Sequence, residues 1–583
     1  TALVRGTPFV KVGVIHPIES YWLKWGNEET TGAVREEMDK AFSDLTSWLL
    51  YGLLDFDFIS ESLLEEQSRD GEGASREKGF AVGAMTYDVV VVPDCLTLRK
   101  NTVERLKKFA EMGGKIFYLG RVPEYIDALP ARDDALAETG TVLPFTKQAI
   151  LQALEPYRTV GVQDRRGMKS ANLLSQQRQD GENRWLFLAH SERPAEVDDV
   201  TPEYWTVRVP GDWTVELYDA MEGAISPVDV QYAAGRTQWE VTSYAQDSFL
   251  YCLKPGRAGE SAASLCGSTP ACRRPVAMPE LVDFALEEPN VLVLDMAEYK
   301  LDDGEWREKE EILRLDNNFR AEAGYPMRAD AYAQPWIYGE RAYEHKVALR
   351  YTILSEIAME GVDLALENEA ITELIWNGEE IPHTLTGYYT DREFHKVALP
   401  GLKKGENVLE VRLPYHTNVN LEAMFLLGEF GVDVKGSTAV ITALPEKIGF
   451  GDICSQGLPF YGGNLVYRIP VELPEDGALT VQVPKFRNPL IEVILDGQEE
   501  QSRDLFKSPY RVSFGQVKRG KHVIELRAYG NRRNTFGQLH NCNENVYWCG
   551  PDAWRTQGEA WAYEDQLTRT GILTSPHVEI HAE

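Results

Sequence analysis

Positive charge is scarce in this 583-residue chain, where 60 Lys and Arg stand against 91 Asp and Glu for a formal charge of -31. A field of that sign repels phosphate backbones and anionic lipid surfaces, so neither nucleic acid nor membrane is expected as a partner. Long apolar runs are lacking as well: no segment approaches the ~20 continuous apolar residues of a membrane-spanning helix. An uncharged polar ligand such as a sugar is not penalised by the acidity.

Cysteine is sparse and odd in number, with seven residues and no pair at zinc-binding spacing. Cys266 with Cys272, and Cys542 with Cys549, could each close a small loop in an oxidising compartment, and free thiols fit equally well. The sequence therefore marks neither a cytoplasmic nor a secreted location. Nucleotide signatures are missing: no GxGxxG follows a strand, no GxxxxGK(S/T) occurs, and the loop after the first strand reads "HPIESYW". No flavin or nucleotide cofactor is expected. The ten histidines form no HExxH, and His577 with His581 lie in a strand-like tail, so no metal is assigned. Calcium held by carboxylates and carbonyls of a sandwich would leave no signature.

A catalytic barrel is also lacking. The β-α alternation stops after four or five units, whereas a (β/α)8 barrel takes about 250 residues. Among 91 acidic residues no pair stands out as acid and nucleophile, so no catalytic residue is named. Cys95 ends the strand "VVVVPDC" but has no flanking glycines and no histidine between His16 and His190. It reads as a structural cysteine rather than a nucleophile on a strained elbow.

What is present is enough core for three or four domains. Over 1–157, buried Val/Ile runs ("FVKVGVIH", "DFDFIS", "YDVVVVPD", "KIFYLG") alternate with amphipathic helices ("TGAVREEMDKAFSDLTSWLLYGLL", "NTVERLKKFAEMGG"). That pattern predicts a flavodoxin-like parallel sheet covered on both faces. Residues 158–255 alternate in short runs and predict a small β-sandwich. Residues 256–277, rich in Gly, Ser, Ala and Pro, read as a linker. An internal repeat follows: "HKVALRYTILS" to "ENVLEVRL" is matched by "GNLVYRIPVEL" to "KHVIELRA". Two jelly-roll sandwiches, galactose-binding-like, are predicted at 278–440 and 441–583, with tight turns at Asn377-Gly378 and Asp496-Gly497.

Two groups of residues are candidates for binding. The segment 531–567 mixes tryptophans with Asn, Arg and His, the chemistry of a sugar platform: Asn534, His540, Trp548, Trp554 and Arg555 are its carbohydrate-binding candidates. The competing reading is a loop that plugs a seam between domains. In "HPIESYW", His16, Glu19 and Trp22 end the first parallel strand, where open α/β folds bind ligands, and are candidates for an interdomain loop.

The order "VIHPIESYW", "YGLLDFDFIS", "YDVVVVPDCLTL", "MGGKIFYLGRVP", "NRRNTFGQLHN" and "WCGPDAWRTQGEAW" resembles the downstream half of large bacterial glycoside hydrolases. These are similar to family 106 α-L-rhamnosidases, with sandwiches like the sugar-binding domain of family 2. The resemblance implies a catalytic (β/α)8 barrel upstream of Thr1, in cis or as a separate chain, and none of the family's catalytic residues falls on a position here. The start at Thr1 without Met fits a piece of something longer. The expected role is an accessory, sugar-binding part of a glycosidase acting on plant or microbial glycans. Its rivals are a self-sufficient carbohydrate-binding module and a complete hydrolase with an interdomain carboxylate site.

Overall fold

The computed structural model describes residues 2–68, 79–131, 136–257, 273–327, 342–543 and 557–581. The described chain is mostly β-sheet with few helices, an α/β portion followed by β-rich portions. It divides into two compact units, Thr1–Ser268 with Lys507–Pro509, and Thr269–Phe506 with Tyr510–Glu583.

In the first unit, strands Phe56–Ile59, Val12–Ile15, Val89–Val92, Lys115–Leu119 and Thr141–Leu143 lie side by side in that order, all parallel. Counted along the chain the order is 2-1-3-4-5. Alternation within each strand sends side chains to opposite faces. Val90, Val92 and Ile15 therefore pack with Leu106 and Phe109 of helix Lys100–Glu111. Val89, Val91, Val12 and Val14 pack with Leu45 and Leu49 of helix Glu28–Tyr51 and with Ile150 of helix Lys147–Leu154. A run of four valines is readable as a strand because both of its faces are covered.

"HPIESYW" is not a loop. Pro17 opens a short helix, Ile18–Leu23, where a residue without an N–H forfeits nothing. Ser20 of that helix accepts hydrogen bonds from the N–H groups of Leu96 and Thr97, at 2.9 and 3.1 Å, fixing the turn after Cys95. Cys95 itself is buried, and burial, then the charges of Glu61 and Asp94, push its thiol far above the ordinary range. Alkylation at pH 8 should leave Cys95 intact in the native protein and modify it only after denaturation, as read by mass spectrometry. Native-state labelling would contradict a buried, neutral thiol.

Besides two small sheets, Phe80–Val82 with Met85–Tyr87 and Thr97–Leu98 with Tyr125–Ile126 and Leu129–Pro130, the first unit holds a pair of larger antiparallel sheets. Strands Leu173–Asp180, Asn183–His190, Ser248–Pro255 and Trp213–Asp219 form the centre of one, with Thr7–Pro8 added at its edge. Gly161–Asp164, Glu203–Pro210, Arg236–Ser243 and Gln231–Ala233 form the other. Leu186, Val207, Trp239 and Tyr251 fill the space between them.

The second unit holds two further pairs of sheets. In the first pair, the strand series Asn290–Leu294, Met424–Gly428, Asp363–Leu366, Asp391–Ala398 faces the series Arg307–Glu311, Met296–Leu301, His345–Ser355, Gly405–Tyr415, Glu373–Trp376. Leu364 and Leu426 on one side meet Val347, Tyr351 and Leu409 on the other. In the second pair, Leu465–Leu473, Gly520–Ala528 and Ile491–Leu495 face Gly477–Gln482, His577–His581 and Arg511–Val517. Both central residues of each tight turn, Asn377-Gly378 and Asp496-Gly497, have positive φ, the twist that two-residue hairpins need. Strand Leu281–Leu286 precedes the first pair in sequence yet pairs with Leu465–Arg468 of the second. The chain thus starts the last sandwich, builds the one before it, and returns.

Candidate functional site

The site is built where the first sandwich of the second unit changes sheets. Asp295 is the single residue between strand Asn290–Leu294 of one sheet and strand Met296–Leu301 of the other. Glu311 closes strand Arg307–Glu311 and caps helix Ile312–Ala323, its two carboxylate oxygens accepting from the N–H groups of Leu313 and Arg314, both at 3.0 Å. That geometry satisfies orphan donors of the helix start and holds the carboxylate still.

His540, Trp561 and Asp565 arrive from the C-terminal segment. Its two stretches run antiparallel, with Ala562 N–H donating to the His540 carbonyl at 3.0 Å and Cys542 N–H to Ala560 at 2.9 Å. His540 donates from Nδ1 to the Ala562 carbonyl at 3.0 Å, and its Nε2 lies 3.2 Å from Asp295 Oδ2. Its ring meets the Trp561 ring at 5.1 Å, and the Arg314 guanidinium lies 4.3 Å from the Trp561 centroid. The Trp561 indole N–H and the Tyr351 hydroxyl are buried without a partner among the described residues.

Two cavities share Asp295 and His540. One, of about 110 Å³, is lined by Asp295, Glu311, His540, Trp561, Phe394 and Phe536. The other, of about 60 Å³, adds Asp565, Tyr351 and Lys309. Charge is concentrated here among largely buried groups. Burial draws the His540 imidazolium down, but the hydrogen bond and charge of Asp295, helped by Asp565 and Glu311, prevail and raise it to about 9. Burial pushes Glu311 up to about 7 against its two backbone hydrogen bonds, and Asp295's charge adds to the rise. Burial, then the charge of Asp295, raises Asp565 to about 7. The arrangement offers aromatic faces beside fixed donors and acceptors, which suits a polyhydroxy ring.

Of the residues singled out in the sequence, His540 is in this site. Asn534 lies nearby, but its amide donates to the Thr568 and Pro459 carbonyls at 2.8 and 3.1 Å and accepts from Thr568 N–H at 2.9 Å. It is spent tying backbone together rather than turned to a ligand. Trp548, Trp554 and Arg555 lie outside the described residues, as do Cys266, Cys272, Cys549 and most of the linker. Asp295, Glu311 and Asp565 were not singled out. The available signal is Asp295 directly after the apolar run "VLVL", because an acid beside a buried strand needs a partner.

His16, Glu19 and Trp22 point to different places. His16 meets Phe42 and Phe58 edge-on at 5.2 and 5.8 Å, and burial lowers its pKa. Glu19 is held by Arg99 Nε at 2.5 Å, and Trp22 is exposed. His16, Tyr21, Asp39, Phe42, Asp94 and Phe145 line a cavity of about 190 Å³. It lies at the carboxyl ends of strands Val12–Ile15 and Val89–Val92, where the strand order reverses.

No family model matches the sequence, and a search of curated proteins gives no match. Among solved structures, the rhamnosidase from Novosphingobium sp. PP1Y aligns with 62% of this chain and 32% of its own, at 14% identity and a TM-score of 0.27. The α-L-fucosidase isoenzyme 2 from Paenibacillus thiaminolyticus aligns over 44% of this chain and 50% of its own, at 11% identity and a TM-score of 0.26. Gan42B, a GH42 β-galactosidase from G. stearothermophilus, aligns over 42% of this chain and 40% of its own, at 11% and 0.28. The chain thus spans half or less of the length of each. These structural neighbours are glycoside hydrolases, at scores too low for the likeness to assign fold, family or substrate to this chain.

Proposed function

We propose that this chain is the non-catalytic portion of a glycoside hydrolase resembling the family 106 α-L-rhamnosidases, and that its second unit binds a neutral saccharide at the Asp295–His540–Trp561 cavity. The carrying observation is that cavity: the Trp561 and Phe536 rings stand beside Asp295 and His540, with the indole N–H of Trp561 unpartnered among the described residues. In the same reading the 2-1-3-4-5 sheet is a flavodoxin-like domain at 1–157. A small sandwich follows at 158–255 and jelly rolls at 278–440 and 441–583, with strand Leu281–Leu286 counted to the last. The partner is a (β/α)8 barrel, in cis or as a separate chain, acting on plant or microbial glycans. The acidic surface, which does not oppose an uncharged sugar, supports this reading.

Calorimetric titration of the chain with methyl α-L-rhamnoside and methyl β-galactoside tests it. Millimolar binding, about 4 kcal/mol, is expected for one of them. Trp561→Ala and Asp295→Asn should each weaken it at least tenfold, about 1.4 kcal/mol. Binding unaffected by both substitutions would place the sugar elsewhere.

A second reading is favoured by one observation: Glu311 and Asp565 are both raised to about 7, the range of a general acid. A complete hydrolase would then turn over aryl α-L-rhamnosides or β-galactosides by itself. The accessory reading expects no turnover, since Glu311 is committed to its helix.

A further inference from the structure

We propose that Asp295, His540 and Asp565 bind one divalent cation of the Zn2+ or Mn2+ class on the face of the cluster that Tyr351 closes. One ligand atom from each residue lies within 4.8 Å of the other two. Tetrahedral ligand atoms bonded at about 2.0–2.2 Å stand roughly 3.3–3.6 Å apart, a spacing that His540 Nε2 and Asp295 Oδ2 already have at 3.2 Å and that Asp565 would reach by closing at most about 1.5 Å. The Ala562 carbonyl already takes the Nδ1 proton of His540, which fixes the ring and leaves Nε2 to face the carboxylates. Metal-binding imidazoles are oriented by such an anchor on the other nitrogen.

A second, independent observation points to a ligand. The Tyr351 hydroxyl is fully buried, lines the cavity with Asp295, His540 and Asp565, and has no hydrogen-bond partner among the described residues. Buried hydroxyls are rarely left so, and a cation-bound water would satisfy this one. The donor set selects the ion. One imidazole nitrogen with two carboxylates suits Zn2+ or Mn2+, whereas Ca2+ takes six to eight oxygens. Two carboxylates balance a dication when the imidazole is neutral. Lys309, which lines the same cavity, opposes the cation, but it is exposed, where solvent screens its charge. Cation and proton compete for Nε2.

This inference rests on the donor set and not on the saccharide reading, and its test contains no sugar. The intact chain, stripped with a chelator, is dialysed to equilibrium against Zn2+ or Mn2+, with Ca2+ as comparator. One equivalent should bind the parent, at least tenfold more weakly in His540→Gln and in Asp565→Asn, with Ca2+ weaker than either metal. No uptake overturns the proposal, and uptake unchanged in both variants overturns it in favour of scattered surface carboxylates. Should the variants fail to fold, X-ray absorption of the zinc-loaded parent decides: a nitrogen and oxygen shell with imidazole scattering supports the site, and an all-oxygen shell overturns it.

Discussion

Arg320→Ala should destabilise the first sandwich of the second unit by roughly 3–5 kcal/mol, the cost of leaving one member of a buried ion pair alone. Arg320 and Asp316 both have 0% exposed side chains and bond at 3.0 Å, one turn apart on helix Ile312–Ala323. The guanidinium also donates to the Thr417 and Val419 carbonyls at 3.1 and 3.2 Å, and Asp316 accepts from the Tyr415 hydroxyl at 2.7 Å. The same helix starts at Glu311, and the chain beyond Val419 reaches Glu422 and Ala423 at the cavity wall. One node thus fixes two sides of the site. Hydrogen exchange of strands His345–Ser355 and Gly405–Tyr415 measures the loss. Asp316→Leu combined with Arg320→Met should cost less than Arg320→Ala alone, because no charge is stranded. A loss below about 1 kcal/mol for Arg320→Ala would show the node to be solvated.

Asp55 should make the first unit less stable as pH rises. It stands just before strand Phe56–Ile59 and accepts from Ser175 Oγ of strand Leu173–Asp180 at 3.0 Å. Burial raises its pKa from 3.8 to about 7, against hydrogen bonds from Ser175 and Gln177. Between these values the folded state binds more protons than the unfolded one, so stability falls with pH. It is full below about pH 4 and lower by up to about 4 kcal/mol above pH 7. Asp55→Asn should therefore match the parent near pH 4 and exceed it at pH 8, in denaturant unfolding followed by exchange of strand Leu173–Asp180. A parent-variant difference that does not change with pH would contradict a protonated Asp55.

The parts of the fold legible in the sequence are those whose cause is local. Val89–Val92 announces a strand because both faces are buried, and Asn377-Gly378 announces its turn because positive φ at both residues excludes most side chains. Thr141–Leu143 is three residues, mostly exposed, and shows no period. The pairing of Leu281–Leu286 with a strand some 180 residues later has no local mark either. The site follows the same rule. His540 stood out within an aromatic, polar segment. Asp295, 245 residues distant, meets it only through the fold, and Glu311 and Asp565 read as ordinary members of an acidic surface. Helix Ile18–Leu23 was hidden by the proline that in fact begins it.

The proposed saccharide would lie in the cavity beside Trp561. A crystal structure of the chain grown with methyl α-L-rhamnoside or methyl β-galactoside at saturating concentration tests it most directly. A sugar ring is expected against Trp561, with hydroxyls bonded to Asp295 and to the indole N–H. A well-ordered cavity without sugar, or sugar bound only at other surfaces, would contradict it.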